Sequence, residues 1–226
     1  MRAMILAAGF GERMRPLTEH TPKPLLKVGG VALIEHHIRR LAVAGFDELV
    51  INVSHLGQQI IDFCGDGSAW GVRITFSEED EPLETAGGII KALPLLGSEP
   101  FLVVNGDVWT DYPFEQMLKR ELPESGGAHL VLVDNPPQHP LGDFGLEGDS
   151  VRQLPGGESG FTFSGIGLYT SDFFDGVPEG KSPLRPLLDR CITANKLTGE
   201  HYTGEWRDIG TPERLGALNA SVKPAS

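Results

Sequence analysis

Met4-Ile5-Leu6-Ala7-Ala8-Gly9-Phe10-Gly11-Glu12-Arg13-Met14-Arg15-Pro16-Leu17-Thr18-Glu19-His20-Thr21-Pro22-Lys23-Pro24 begins as an apolar run and ends as a basic loop. The run Met4–Ala7 is short and wholly apolar, the pattern of a strand buried on both faces of a parallel sheet. It empties into small residues and two glycines, whose amides can lie close against a large anion. Arg13, Arg15 and Lys23 then add cations within one loop, although the chain as a whole has a net charge of -12. Positive charge gathered there points to a polyphosphate, with a triphosphate the best match. The plainer alternative is a surface turn with solvated cations. The preceding strand and the stiff Pro22-Lys23-Pro24 setting favour the phosphate. A third glycine is missing, so this is no dinucleotide fingerprint, and without Gly-Lys-Ser/Thr it is no P-loop.

Outward from this loop, strand-like runs alternate with helical periodicity. A helix is expected over Val31–Ala44, ending at Gly45, with Leu33, Ile34, Ile38 and Leu41 as its buried stripe. Strands are expected at Glu48–Val53, Val72–Phe76, Phe101–Val104, Leu130–Val133 and Phe161–Tyr169. Further helices are expected at Gln58–Phe63, Thr85–Leu93, Pro113–Lys119, Leu184–Ala194 and Pro212–Ala220. This β-α-β alternation predicts an α/β fold: a Rossmann-like, mostly parallel mixed sheet flanked by helices. Ligands of such sheets sit beyond the carboxyl ends of the strands, where the glycine loop and Asp107 both fall. Residues 134–160 are rich in proline and glycine and read as loops with a small hairpin over the site.

With 226 residues, 40% hydrophobic and 22% charged, the chain suits one globular domain over 1–222, followed by a short tail at 223–226. Its acidity argues against nucleic-acid partners, and no apolar stretch reaches membrane-span length. Met1–Leu6 reads as a first strand rather than a leader. Cys64 and Cys191 show no paired spacing, so a reducing, cytoplasmic setting is expected.

Two carboxylates draw attention. Asp107 ends an apolar strand in Asn105-Gly106-Asp107, a suitable place to hold Mg²⁺, which needs only one or two carboxylates beside phosphates and water. Asp208, in Trp206-Arg207-Asp208-Ile209-Gly210-Thr211-Pro212, is the matching second ligand. For each, a turn or helix cap is the competing role. Asp111 is expected to cap the Pro113–Lys119 helix. The scattered histidines offer no zinc set, and no Gly-x-Ser-x-Gly elbow occurs.

Gly9-Phe10-Gly11-Glu12-Arg13 with Pro22-Lys23, the Asn105-Gly106-Asp107 strand end and Trp206–Pro212 resemble the sugar-phosphate nucleotidyltransferases, over Met1 to about Ala220. The resemblance implies a GT-A-like fold and Mg-dependent transfer of a nucleotidyl group to a sugar 1-phosphate, with release of pyrophosphate. It implies nucleotide contacts at Ala7, Gly9, Gly11, Glu12, Arg13, Lys23 and Thr85. Arg13 and Lys23 are the expected catalytic cations. Asn105, Asp143 and Glu158 are the expected sugar contacts, and Asp107 and Asp208 the metal ligands. Pro82–Gly88, Val104–Asp111 and Phe161–Gly165 look like members that use UTP and an N-acetylmuramic acid 1-phosphate. Guanylyl transfer to mannose or heptose 1-phosphate is the alternative, and a non-catalytic nucleotide sensor the alternative of another class. Two positions depart from the family pattern. Many relatives have Gly-Thr where Glu84-Thr85 stands. Many have Glu-Lys where Glu158-Ser159 stands, so a phosphate-holding cation must come from Arg152, Lys181 or Arg207. No hexapeptide-repeat region follows, so no acetyltransferase activity is expected.

Overall fold

The computed structural model describes residues 1–122 and 125–222, which leaves the expected tail at 223–226 outside the described residues. Thirteen strands form among the described residues: β1 (Ala3–Leu6), β2 (Lys27–Val28), β3 (Val31–Ala32), β4 (Glu48–Val53), β5 (Arg73–Glu78), β6 (Phe101–Asn105), β7 (Val108–Thr110), β8 (Ala128–Val133), β9 (Gly145–Glu147), β10 (Ser150–Arg152), β11 (Thr162–Tyr169), β12 (Leu197–Tyr202) and β13 (Trp206–Asp208). The helices are α1 (Leu33–Ala44), α2 (Gly57–Cys64), α3 (Glu84–Leu96), α4 (Arg185–Thr193) and α5 (Pro212–Ser221). Nine strands make one sheet in the order β5-β4-β1-β6-β11-β8-β12-β10-β9. β5, β4, β1 and β6 are parallel, β11 runs against β6 and β8, and β12 is parallel to β8. The expected mixed, mostly parallel sheet is therefore the one observed.

β1 shows why its apolar run is central. Ala3 and Ile5 pack with Ile34, Ile38 and Leu41 of α1, while Met4 faces Ala86, Ile89 and Ala92 of α3. Alternate side chains thus enter cores on opposite faces of the sheet. The α1 stripe is buried as its spacing predicts, with His37 added to it. Gly45, at φ 98, closes that helix in the left-handed conformation that spares only glycine.

Several boundaries move. Val31 and Ala32 pair with Lys27 and Val28 as a short hairpin, so α1 begins at Leu33. α3 continues to Leu96 through Pro94, close enough to the end of the helix for one lost backbone bond to be tolerated. β12 has no apolar run to betray it. Its Glu200 accepts from the Tyr112 hydroxyl and Arg120, so polar side chains occupy positions that patterning reserves for apolar ones. Asp111 does not cap the 3-10 helix Phe114–Lys119. Its Oδ1 accepts from the Tyr202 hydroxyl, because β12 passes beside it. The 134–160 stretch does contain a hairpin, β9–β10, which extends the sheet through β12. No helix among the described residues is long and apolar enough to cross a membrane.

Candidate active site

The carboxyl ends of β1, β4, β5 and β6 open into a cleft of about 730 Å³. Its lining includes Ala7, Gly9, Gly11, Glu12, Arg13, Lys23, Thr85, Asn105 and Asp107, so nine residues expected from sequence meet in one cavity. β1 delivers the glycine loop. Gly11 sits at φ 64, where its carbonyl accepts from the Thr18 hydroxyl at 2.8 Å and from the Met14 amide at 2.8 Å. A side chain there would strain the backbone and press on Thr18. Met14 is fully buried and pins the turn that carries Glu12 and Arg13. Arg13 is exposed and has no ion-pair partner among the described residues.

β6 delivers the opposing side. Gly106 donates its amide to Leu6 O at 2.9 Å, and a Cβ on Gly106 would lie 2.5 Å from that oxygen. Only glycine lets the two strand ends approach so closely. The next residue, Asp107, accepts from Lys23 Nζ through Oδ2 at 2.9 Å, which ties the basic loop to the end of β6. Lys23 is largely enclosed, with 11% of its side chain exposed, against 38% for Asp107.

Asp208 lies beside this corner. Its strand β13 pairs with β7, Asp208 opposite Val108, and the Ile209 amide donates to Asp107 O at 3.0 Å. Its carboxylate is paired with Arg214 and lines a second cavity of about 590 Å³. The capping role falls to Thr211, whose hydroxyl accepts from the Arg214 amide at the start of α5. Beneath β7, His37 Nε2 donates to Val108 O at 2.8 Å. Burial holds the His37 pKa down at about 4, and its Nδ1 is buried without a partner, as suits a neutral ring. Burial also pushes the Cys64 and Cys191 thiols up to about 12 and about 11, so neither is a ready nucleophile.

The expected sugar contacts divide. Asn105 lines the cleft; Asp143 and Glu158 line neither cavity. Asp143 accepts from the Phe163 amide at 2.8 Å and faces His139 at 3.0 Å. Glu158 is held by Arg152. Of the three candidate cations, Arg152 is thus engaged, Arg207 lies 3.2 Å from Glu205 and lines the second cavity, and Lys181 lines the cleft. Patterning missed Asn52, Glu79 and Glu84, which also line the cleft. The available signal was a lone asparagine inside an apolar strand for Asn52; nothing local marked Glu79.

The donor chemistry of Asp107 and Asp208 is that of a divalent-cation site, with Asp107 lining the cleft and Asp208 paired with Arg214 beside it. Both are hard oxygen donors: Asp107 lies in the turn between β6 and β7, Asp208 ends β13 opposite Val108, and Asp107 keeps Oδ1 while Oδ2 takes Lys23. No group of three or more His, Cys, Asp or Glu assembles among the described residues.

The model of the nucleotidyl transferase family matches residues 2–223. The chain is 55% identical over 225 residues to an N-acetylmuramate alpha-1-phosphate uridylyltransferase of Neisseria meningitidis, covering 97% of each. It is 33% identical to the enzyme of that name from Caulobacter vibrioides, covering 99% of this chain and 97% of the relative. A Bacillus anthracis crystal structure, assigned as a glucose-1-phosphate thymidylyltransferase and solved with sucrose, superposes with a TM-score of 0.87. That likeness covers 100% of this chain and 96% of the other at 22% identity, and it speaks for the fold.

Proposed function

Because the chain belongs to the nucleotidyl transferase family, we propose that it transfers the uridylyl group of UTP to N-acetylmuramic acid 1-phosphate, giving the UDP-sugar and pyrophosphate. The observation that carries the reading is the 2.9 Å contact of Lys23 with Asp107, which joins the phosphate loop to the acidic strand end within one cleft. The substrate pair is supported by the relatives described above.

The nucleophile is a phosphate oxygen of the sugar 1-phosphate, already largely anionic at pH 7 because its second pKa lies near 6. No protein base is needed. The obstacle is the approach of one polyanion to another, so the work of the site is positioning and charge neutralisation. In this reading the amides of Ala7–Gly11 and the guanidinium of Arg13 hold the phosphates that depart as pyrophosphate. Lys23 moves its hydrogen bonds from Asp107 to the α-phosphate as charge develops there. Glu12 and Thr85 edge the nucleotide, and Asn105 faces the acceptor. Mg²⁺, held by Asp107 and by an Asp208 released from Arg214, would neutralise charge between the two phosphates. Residues 134–160 form the acceptor-side cover, with Asp143 and Glu158 shaping it. Lys181 is the cation placed to meet an anionic group of a substrate at the cleft. The two buried, free cysteines suit a cytoplasmic enzyme.

Pyrophosphate release across a panel of nucleotides and sugar 1-phosphates tests this. UTP with N-acetylmuramic acid 1-phosphate is expected to lead. GTP with mannose or heptose 1-phosphate in front would reject the substrate assignment. Magnesium-independent UTP binding with no turnover on any acceptor would make the protein a sensor.

A further inference from the structure

A buried ring on α1 holds the segment that carries Asp107, and the mechanism above makes no use of it. His37 is 2% exposed, lines neither cavity, and directs Nε2 at Val108 O, 2.8 Å away. The pairing of β7 with β13 explains why that carbonyl is available. The Ile209 amide donates to Asp107 O at 3.0 Å, and the Asp111 amide to Glu205 O at 3.1 Å. Val108, opposite Asp208, therefore falls at a non-hydrogen-bonded rung of the antiparallel pair. Its carbonyl turns away from β13 toward α1. From His37 onward that helix spends its backbone N–H groups internally, so only a side chain can meet the carbonyl. A carbonyl only accepts, so the ring proton sits on Nε2, and Nδ1 is left as the bare, unpartnered nitrogen. Asp107 thus lies between two anchored neighbours: Gly106 donates to Leu6 O before it, and Val108 accepts from His37 after it.

We propose that His37 is a positioning residue for the metal centre. By holding Val108 O it fixes where Asp107 presents its carboxylate and, through the β7–β13 pairing, where Asp208 does. The role rests on Asp107 and Asp208 being the metal ligands of the reaction proposed above. The bonds that Mg²⁺ takes are short, about 2.0–2.1 Å, and near octahedral, so a strand end that drifts loses metal affinity. Residues that orient metal ligands from behind are worth roughly 10–100-fold in metal affinity or activity. A residue that only packs α1 against β7 would be worth stability and nothing else.

Three variants separate these roles. His37→Gln keeps an N–H donor near the place of Nε2. His37→Leu fills much of the space without a donor. His37→Met, with a more adaptable chain, is a second donor-free variant and carries the same expectation. Each is compared with the wild type by Mn²⁺ binding to the protein–UTP complex without acceptor, read from water proton relaxation. The magnesium concentration for half-maximal pyrophosphate release, the UTP KM at saturating magnesium and the Tm complete the set. Both donor-free variants are expected to weaken Mn²⁺ binding and raise the half-activating magnesium roughly tenfold. Their UTP KM is expected to stay within about threefold, and His37→Gln to match the wild type within about threefold in every metal readout. Donor-free variants that lose only Tm overturn the proposal. So does His37→Gln if its metal response is as poor as theirs, because the donated N–H is then not what matters. Asp107→Asn is the control for the premise: if it binds Mn²⁺ as the wild type does, the metal assignment falls, and this role with it.

Discussion

The rim of the sheet has two halves, and they treat their polar side chains differently. On the half built from β1, β4, β5 and β6, Lys23 pairs with Asp107 and Asn52 with Glu79, but Arg13 has no ion-pair partner among the described residues, and Asn105 and Thr85 line the cleft. On the half beyond β8 and β12, polar groups are turned on one another. Asn135 donates to Gly160 O and accepts from the Thr162 hydroxyl, Asp143 holds the Phe163 amide, and Glu158 holds Arg152. The first half is an open cleft whose strand ends are drawn together at Gly106. The second is a proline-rich loop that must hold its own shape, so a carboxylate there is first a fastener. A polar residue in a loop near a site is thus weaker evidence of ligand contact than one at a buried strand end.

The contrast can be broken most directly at Lys23 and Asp107. Lys23→Ala or Asp107→Asn is expected to slow pyrophosphate release roughly 10²–10³-fold with the fold retained, as loss of one charge-stabilising contact does elsewhere. Near-normal turnover in either variant would dissolve the distinction between the halves.

Stability against pH probes the support beneath the first half. The folded His37 pKa, about 4, lies below its ordinary 6.5, so the unfolded chain binds more protons between these values. The His37 contribution is therefore complete above pH 6.5 and is lost progressively as pH falls toward 4, a change of up to about 3 kcal/mol. Denaturant unfolding of wild type and His37→Gln at pH 7 and pH 4.5 should show a smaller fall in the variant. Equal falls would assign the acid sensitivity to other groups.

In the second half, Asp143→Ala strands the Phe163 amide. The sugar 1-phosphate KM is expected to rise roughly tenfold, with the UTP KM unchanged. Glu158→Ala breaks only a half-exposed ion pair with Arg152 and should shift acceptor KM by less than about threefold. A loss as large as that expected for Lys23→Ala would mean that Glu158 leaves Arg152 to bind the sugar. The smallest effect is reserved for Glu84, a non-glycine residue at φ 62 on the cleft wall, 3.8 Å from Lys181. Glu84→Gly relieves left-handed strain and should raise stability by about 1 kcal/mol, or a few degrees of Tm. A rise in the UTP KM in the same variant would show what the strained carboxylate is kept for.

Much of this was legible in advance, for reasons that differ by element. β1, β4 and β6 are buried on both faces, so their apolar runs announce them, and the residues that follow must lie on the rim. α1 carries a regular stripe. β12 was invisible because Glu200 is satisfied by Tyr112 and Arg120, residues far away in sequence. Asp111 was misassigned because its partner, Tyr202, belongs to that same unseen strand. Asp143 and Glu158 have the right chemistry for a sugar, but whether a loop carboxylate faces a ligand or its own hairpin depends on how the loop closes.

The chain by itself determined where its glycine-rich basic loop, its acidic strand ends and its central strands would be, since each follows from local spacing and a buried run. Only the tertiary structure decided that Asn52 meets Glu79, and that this pair spans from Ala7 to Leu83. Strand register set it: Asn52 lies opposite Leu6, and Val53 opposite Glu78. The register of parallel strands depends on the helices packed over them, α1 and α3, and not on residues near either partner.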